Sequence, residues 1–171
     1  MDELRLGGKN LLLNSWHCYN RPSLLDLEKR VIESSIDEEN VLILPCSMAR
    51  PYDRSRTHRR MREVFAGEGY NIDEYLQVVI SSIGIVPEQF WNDSAVVSYN
   101  SGVPDVYRTL RLARNFFSRF KFKRVVSVLS YEPYRDVLRI CEKEQLIEQL
   151  VEIPVRSRQF HVSTVRRRSR G

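Results

Sequence analysis

The chain has 171 residues, 42% of them hydrophobic and 29% charged, with a net charge of +5, which is length enough for one domain with a sizeable core. Its longest apolar runs are strand-sized, short of the roughly 20 residues of a membrane span, and "MDELRLGGKN" is acidic where a secretory leader is basic and then apolar. Cys18, Cys46 and Cys141 are widely spaced and form no CxxC pair, so neither a disulfide framework nor a metal knuckle is expected, and a reducing cytoplasm fits best.

Residues 22–36 place Leu24, Leu25, Leu27, Val31 and Ile32 near a helical period, with Pro22 suited to the first turn. "VLILP" (41–45) is a continuous apolar run, the pattern of a strand buried on both faces. A helix is expected over 54–67, ending at Gly67 or Gly69. Residues 77–82 and 95–99 read as two further strands. Val106, Leu110, Ala113, Phe117 and Phe120 recur three or four apart and predict a helix over 105–120. A strand at 124–130, a helix over 133–149 and a strand at 150–155 complete the series. The alternation predicts an α/β three-layer sandwich, with a mostly parallel central sheet covered by helices on both faces. It reads as a single domain over 1–155 followed by a basic tail at 156–171.

Charge is distributed unevenly along this chain. Residues 50–62, 108–124 and 156–170 hold 19 of the 27 basic residues and one of the 22 acids, leaving the remainder at −13. Such polarisation suits a polyanion on one face, although charged runs also serve simply as solvated faces. The tail, with Arg166, Arg167 and Arg168, reads equally as a phosphate-contacting or a solubilising segment.

Ligands of open α/β sheets bind outside the carboxyl ends of the strands. There the sequence puts "PCSMARPY" after the first strand, then Ser81, Ser82 and Gly84, then Ser98, Tyr99 and Asn100, and finally Ser130 and Tyr131. The helix starting near Arg54 adds an N-terminus that attracts anions. His17 and Cys18 form no supported metal pair and read as local structure.

The stretch "PCSMARPYDRSRTH" resembles the proline-cysteine, lysine-proline-tyrosine, serine, histidine signature of the archaeosine synthases, through Pro45, Cys46, Pro51, Tyr52, Ser55 and His58. Arg50 stands where that family usually has lysine, and "ISSIGIVPEQFWNDSAVVSYNSGVP" (80–104) is similar to a second family segment, with Ile83 where proline is usual. The resemblance covers roughly residues 41–142. It implies a fold like that of uracil-DNA glycosylases, with a pocket for an everted base. It also implies addition of free lysine to the nitrile of 7-cyano-7-deazaguanine in archaeal tRNA. The partners it implies are tRNA, a radical SAM protein carrying the iron–sulfur chemistry, and a transglycosylase-like or RNA-binding subunit. It implies no cofactor or metal in this chain and no membrane.

Roles for single residues follow from the same resemblance. Cys46 either attacks the nitrile to form a thioimide or packs at a strand end. His58, beside Ser55 on one helix face, either hands protons to the nitrile nitrogen or is hydrogen-bonded structurally. Tyr52 and Tyr99 are candidates for stacking on the base or for the core. Arg50 is expected to meet the lysine carboxylate or a phosphate, a binding role open to arginine where proton acceptance is not. Ser47, Ser82 and Gly84 offer hydroxyls or amides to the base edge, with a structural turn an equal reading for Gly84, while Arg54, Arg56, Arg59, Arg60 and Arg62 read as RNA backbone contacts. Two alternatives remain: a tRNA-presenting subunit without catalysis, and a glycosylase-like enzyme, for which the stretch offers only Asp53 as a carboxylate.

Overall fold

The computed structural model describes residues 21–99 and 104–155, so the expectations for His17, Cys18, Asn100, Arg166, Arg167 and Arg168 fall outside the described residues. Helix α1 (Pro22–Glu33) starts on its proline and buries Leu24, Leu27 and Val31, one stripe at helical spacing. Strand β1 (Asn40–Pro45) follows, with Val41, Leu42, Ile43 and Leu44 wholly enclosed. Burial of each such side chain contributes roughly 2 kcal/mol. A 3₁₀ turn (Tyr52–Arg54) leads into α2 (Arg56–Gly67), and β2 (Leu76–Ser81) and β3 (Gly84–Pro87) come next. Then come α3 (Ser94–Val97), α4 (Val106–Arg119), β4 (Arg124–Ser127), α5 (Glu132–Lys143) and β5 (Leu150–Glu152).

The five strands lie in the order β3-β2-β1-β4-β5. β1 is central and parallel to both neighbours, with Val41 opposite Leu76 on one side and Val125 on the other. Only β3 runs antiparallel, folded back on β2 through Ser82 and Ile83. Right-handed crossovers put α2 on one face of the sheet and α4 and α5 on the other. Helix α4 packs against α5 and β3, and α1 packs against α4 and β3, so helices cover both faces as the sequence predicts.

One expectation from sequence needs correction, and one element is added. Residues 95–99 are not a strand: Asp93 caps a single helical turn by accepting the Ala95 N–H, and Arg30 of α1 holds the same carboxylate at 2.6 Å. β3, a segment bracketed by glycine and proline to which the sequence assigns no element, pairs with β2 along its whole length. The Gly84 φ of +127° is one that side chains rarely adopt, and a Cβ there would lie 2.9 Å from Leu112 Cδ1.

The second basic run is engaged by acids elsewhere in the chain. Arg108 pairs with Glu28, with its side chain 8% exposed. Arg114 makes two bonds to Glu144, Lys123 meets Glu39 at 2.7 Å, and Arg124 bonds Gln149. This stretch fastens α4 and β4 to their neighbours and is not a free cationic face.

Candidate functional site at the end of the central strands

The chain leaves β1 towards α2 on one face and leaves β4 towards α5 on the other. A doubly wound sheet opens a crevice at such a point, beyond the strand ends. The loop after β1 is gripped by the first turn of α2. Ser55 is the N-cap, accepting the His58 N–H, and its hydroxyl lies 2.7 Å from that of Ser47. The Ser47 hydroxyl in turn accepts the Ala49 N–H at 3.2 Å. His58 is 0% exposed; Nε2 lies 2.6 Å from the Pro45 carbonyl oxygen and Nδ1 3.1 Å from that of Tyr52. Burial first, and the Arg62 guanidinium last, hold its pKa below the ordinary histidine value, against the two carbonyls that act upward.

Cys46 is half-buried and lines an open depression of about 570 Å³ with Ser47, Arg54, Ser55, Arg56 and Thr57. The Tyr52 hydroxyl is 3.9 Å from its sulfur. Tyr134, in the first turn of α5, bonds Ser82 at 3.3 Å. Burial, and then interaction with Cys46, keep the Tyr52 phenol protonated far above its usual range. The Tyr134 phenol is raised by burial too, with Cys46 adding to the effect. Cys46 thus has the Tyr52 hydroxyl beside it and is near enough to Tyr134 to act on that phenol electrostatically. By contrast Cys141 is enclosed in α5, where burial pushes its thiol up to about 11 and leaves it inert.

Arg50 lies over the rings of Tyr99 and Tyr52, at 4.8 and 6.0 Å from their centroids. Its Nε and Nη2 groups, on one edge of the guanidinium, are buried and meet no acceptor among the described residues. Leaving charged donors in that state is costly, and a carboxylate or phosphate satisfies such an edge with two parallel bonds.

The structure therefore gathers Cys46, Ser47, Arg50, Tyr52, Ser55 and His58 into one loop-and-helix unit, and Ser82 joins it across the crevice through Tyr134. It does not bring Gly84 there, because that residue faces Leu112 of α4. Tyr52 is fully enclosed, with Trp91, His58 and Arg50 on its ring, so only its hydroxyl serves the crevice. Tyr99 is buried with a guanidinium on one face. Arg62 donates to Gln77 in a separate depression that also holds Glu38, Asp53 and Glu88. Arg54, Arg56, Arg59 and Arg60 are exposed and have no acidic partner among the described residues; the last three form one outward ridge of α2. The sequence places Tyr131 at this edge but misses Tyr134, whose ring packs edge to face on that of the 42%-exposed Tyr131 at 4.9 Å. The signal for Tyr134 was position alone: the first turn of a helix that follows a central strand.

An apolar cavity of about 330 Å³ lies elsewhere, between α1, β3 and α4, lined by Leu25, Ile83 and Leu112. Its charged rim is already paired, Glu28 with Arg108 and Lys29 with Glu33. Among the described residues no three metal-ligating side chains of the His, Cys, Asp or Glu types come together, and no helix is long and apolar enough to cross a membrane.

Ser55→Ala should remove the α2 cap and one Ser47 partner together, costing about 1 kcal/mol or slightly more. Urea unfolding of the variant measures this; an unchanged midpoint would show that the cap is dispensable.

Three comparisons bear on the family and the fold. The model of a family described as a domain of unknown function, DUF5591, matches residues 26–159. Archaeosine synthase subunit alpha of Thermoplasma acidophilum is 27% identical to the chain over 119 residues, 64% of this chain and 22% of that protein. A crystal structure of AF0587, a protein of unknown function, superposes with a TM-score of 0.56 at 25% identity, over 77% of this chain and 44% of the other. The chain thus spans about a fifth of the length of the archaeosine synthase subunit. The resemblance read from "PCSMARPYDRSRTH" points to the same relative.

Proposed function

This chain belongs to the DUF5591 family, and on that footing we propose that it acts in tRNA modification, adding lysine to the nitrile of a 7-cyano-7-deazaguanine base. The observation that carries this reading is the placement of Cys46. The cysteine of the archaeosine synthase-like stretch lies half-buried after the end of β1, lining an open depression with the Tyr52 hydroxyl 3.9 Å from its sulfur, and not in the core.

The chemistry balances without an added oxidant or leaving group. The Cys46 sulfur forms a bond to the nitrile carbon, and its proton passes to the nitrile nitrogen, giving a thioimide. The lysine amine then attacks the same carbon, the carbon–sulfur bond breaks, and the amine's proton returns to the thiol. The product is an amidine. In this reading the protonated phenol of Tyr52, 3.9 Å from the Cys46 sulfur, hydrogen-bonds the nitrogen as it gains charge. The open edge of Arg50 suits the lysine carboxylate. Tyr131 offers an exposed ring at the mouth for an unstacked base. Radical SAM chemistry, and any further grip on tRNA, fall to partner subunits.

The described lining of the Cys46 depression contains no carboxylate, which disfavours a glycosylase that activates water. A presenting subunit without catalysis is the second reading, supported by the unpaired ridge of α2. Incubating tRNA that carries the nitrile base with the chain and isotopically labelled lysine, with and without candidate partners, separates the two. Mass spectrometry of the digested nucleosides shows a lysine adduct under the first reading and none in any combination under the second.

The ridge itself makes a prediction. Replacing Arg56, Arg59 or Arg60 with alanine should leave stability within about 0.5 kcal/mol. Each should weaken tRNA binding and reduce the slope of log affinity against log salt by roughly 1. Fluorescence anisotropy at several salt concentrations reads both effects, and an unchanged slope would place the RNA elsewhere.

A further inference from the structure

His58 invites the role of proton donor, being the only histidine among the described residues and 0% exposed beside the reactive loop. Its surroundings argue otherwise. Both ring nitrogens already face main-chain carbonyl oxygens, which accept hydrogen bonds and never donate them. The ring is further enclosed by Tyr52 at 5.2 Å and Trp91 at 5.8 Å between centroids. The charged group acting on it is the Arg62 guanidinium, which cannot relay a proton. A histidine that shuttles protons needs one nitrogen turned towards the reacting atoms, and neither nitrogen here is free to do so.

What the two carbonyls have in common is their place in the chain. Pro45 is the residue before Cys46, and Tyr52 is the residue after Pro51. One imidazole therefore brackets the whole segment 46–51, which carries Cys46 and Arg50. A neutral imidazole has one N–H and can donate to only one of the two carbonyls. We assign it to the shorter contact, 2.6 Å from Nε2 to the Pro45 oxygen, which leaves Nδ1 in contact with the Tyr52 oxygen without a hydrogen bond. We propose that His58 is a positioning residue, a clamp whose Nε2–H donates to the Pro45 carbonyl and holds the reactive loop on the end of β1, and that it transfers no proton in the reaction. This rests on the reading of the Cys46 crevice as the site, but its readouts need no turnover.

Two substitutions separate clamp from shuttle. The amide nitrogen of glutamine reaches about where Nε2 stands and can keep the bond to Pro45, yet it cannot exchange a proton as imidazole does; alanine keeps neither ability. Under native conditions iodoacetamide should alkylate Cys46 about tenfold faster in His58→Ala, the fold-change of one net hydrogen bond lost, and at within about twofold of the parent rate in His58→Gln. In parallel, long-range proton–nitrogen correlation of histidine-labelled protein should show a neutral Nε2–H ring with a slowly exchanging proton, assigned by its disappearance in His58→Gln. Should His58→Ala fail to fold, the glutamine variant and the spectrum still decide. If the parent makes a lysine adduct, the glutamine variant should keep most of that rate, whereas loss of a true proton donor lowers it by about 10²-fold or more. The clamp is overturned by a freely exchanging ring proton, or by alkylation that both substitutions leave unchanged. If no adduct ever forms, the proposed reaction fails while alkylation and spectrum still judge the clamp.

Discussion

Replacing Cys46 with alanine is expected to abolish formation of the lysine adduct, by on the order of 10³-fold or more, as loss of an attacking nucleophile does. The same variant should bind tRNA with unchanged affinity, because the cationic ridge of Arg56, Arg59 and Arg60 lies on the outward side of α2. Its melting temperature should move by only a few degrees, since the sulfur is half-buried and makes only long contacts, 3.9 Å to Tyr52 and 4.0 Å to the Ser47 carbonyl. Three measurements on one variant thereby distinguish chemistry from binding and from folding. An alanine variant that still forms the adduct at the parent rate would remove Cys46 from the mechanism and leave the Tyr52 phenol and Arg50 as its polar groups. Serine at the same position sharpens the result: it fills the space of a packed cysteine but is a far weaker nucleophile.

Glu28→Ala is expected to have the largest effect on stability, a loss of about 3 kcal/mol. Glu28 meets Arg108, whose side chain is 8% exposed, and reaches Arg111 at 3.9 Å as well. Removing the carboxylate leaves a guanidinium in the α1–α4 interface without its acid. For a domain of this size the loss corresponds to a melting temperature lower by roughly 9 °C. Affinity for tRNA should not change. The outcome is the mirror image of that expected for the α2 ridge, and it tests whether the two arginine-rich runs have separate work. A melting temperature within a degree of the parent would mean that Arg108 finds a substitute partner.

β1, β2 and α4 were legible because burial on both faces, or at helical spacing, writes an apolar pattern into the chain: Val41 to Leu44 are continuous, and Leu112, Ala113, Phe116 and Phe117 recur along one face. The segment 95–97 was not legible, because a β-branched run reads as strand unless the carboxylate ahead of it is known to be capping. Charge was legible as composition but not as distribution in space. Nothing in the run 108–124 announces that Glu28, Glu39 and Glu144, distant in sequence, will pair with Arg108, Lys123 and Arg114. In the site, one local stretch supplied Cys46, Arg50, Tyr52, Ser55 and His58, since a loop and the helix after it bring neighbours in sequence together in space. Tyr134 enters from the other wall, 88 positions beyond Cys46, and no spacing rule reaches that far. Nor could spacing tell that His58 would turn both nitrogens to carbonyls, because that depends on the chain doubling back at Tyr52.

The central place of β1 also bears on how the protein comes off the ribosome. Its partner on one edge, β2, is made soon after it, but its partner on the other, β4, begins at Arg124, opposite Asn40. While the intervening residues are being synthesised, a strand of four wholly apolar side chains has one unpaired edge. Parallel pairing over such a span closes slowly, and an open apolar edge recruits other chains meanwhile. Nascent chains stalled before residue 124 should therefore be the species that chaperones hold, and release should coincide with emergence of the β4 segment.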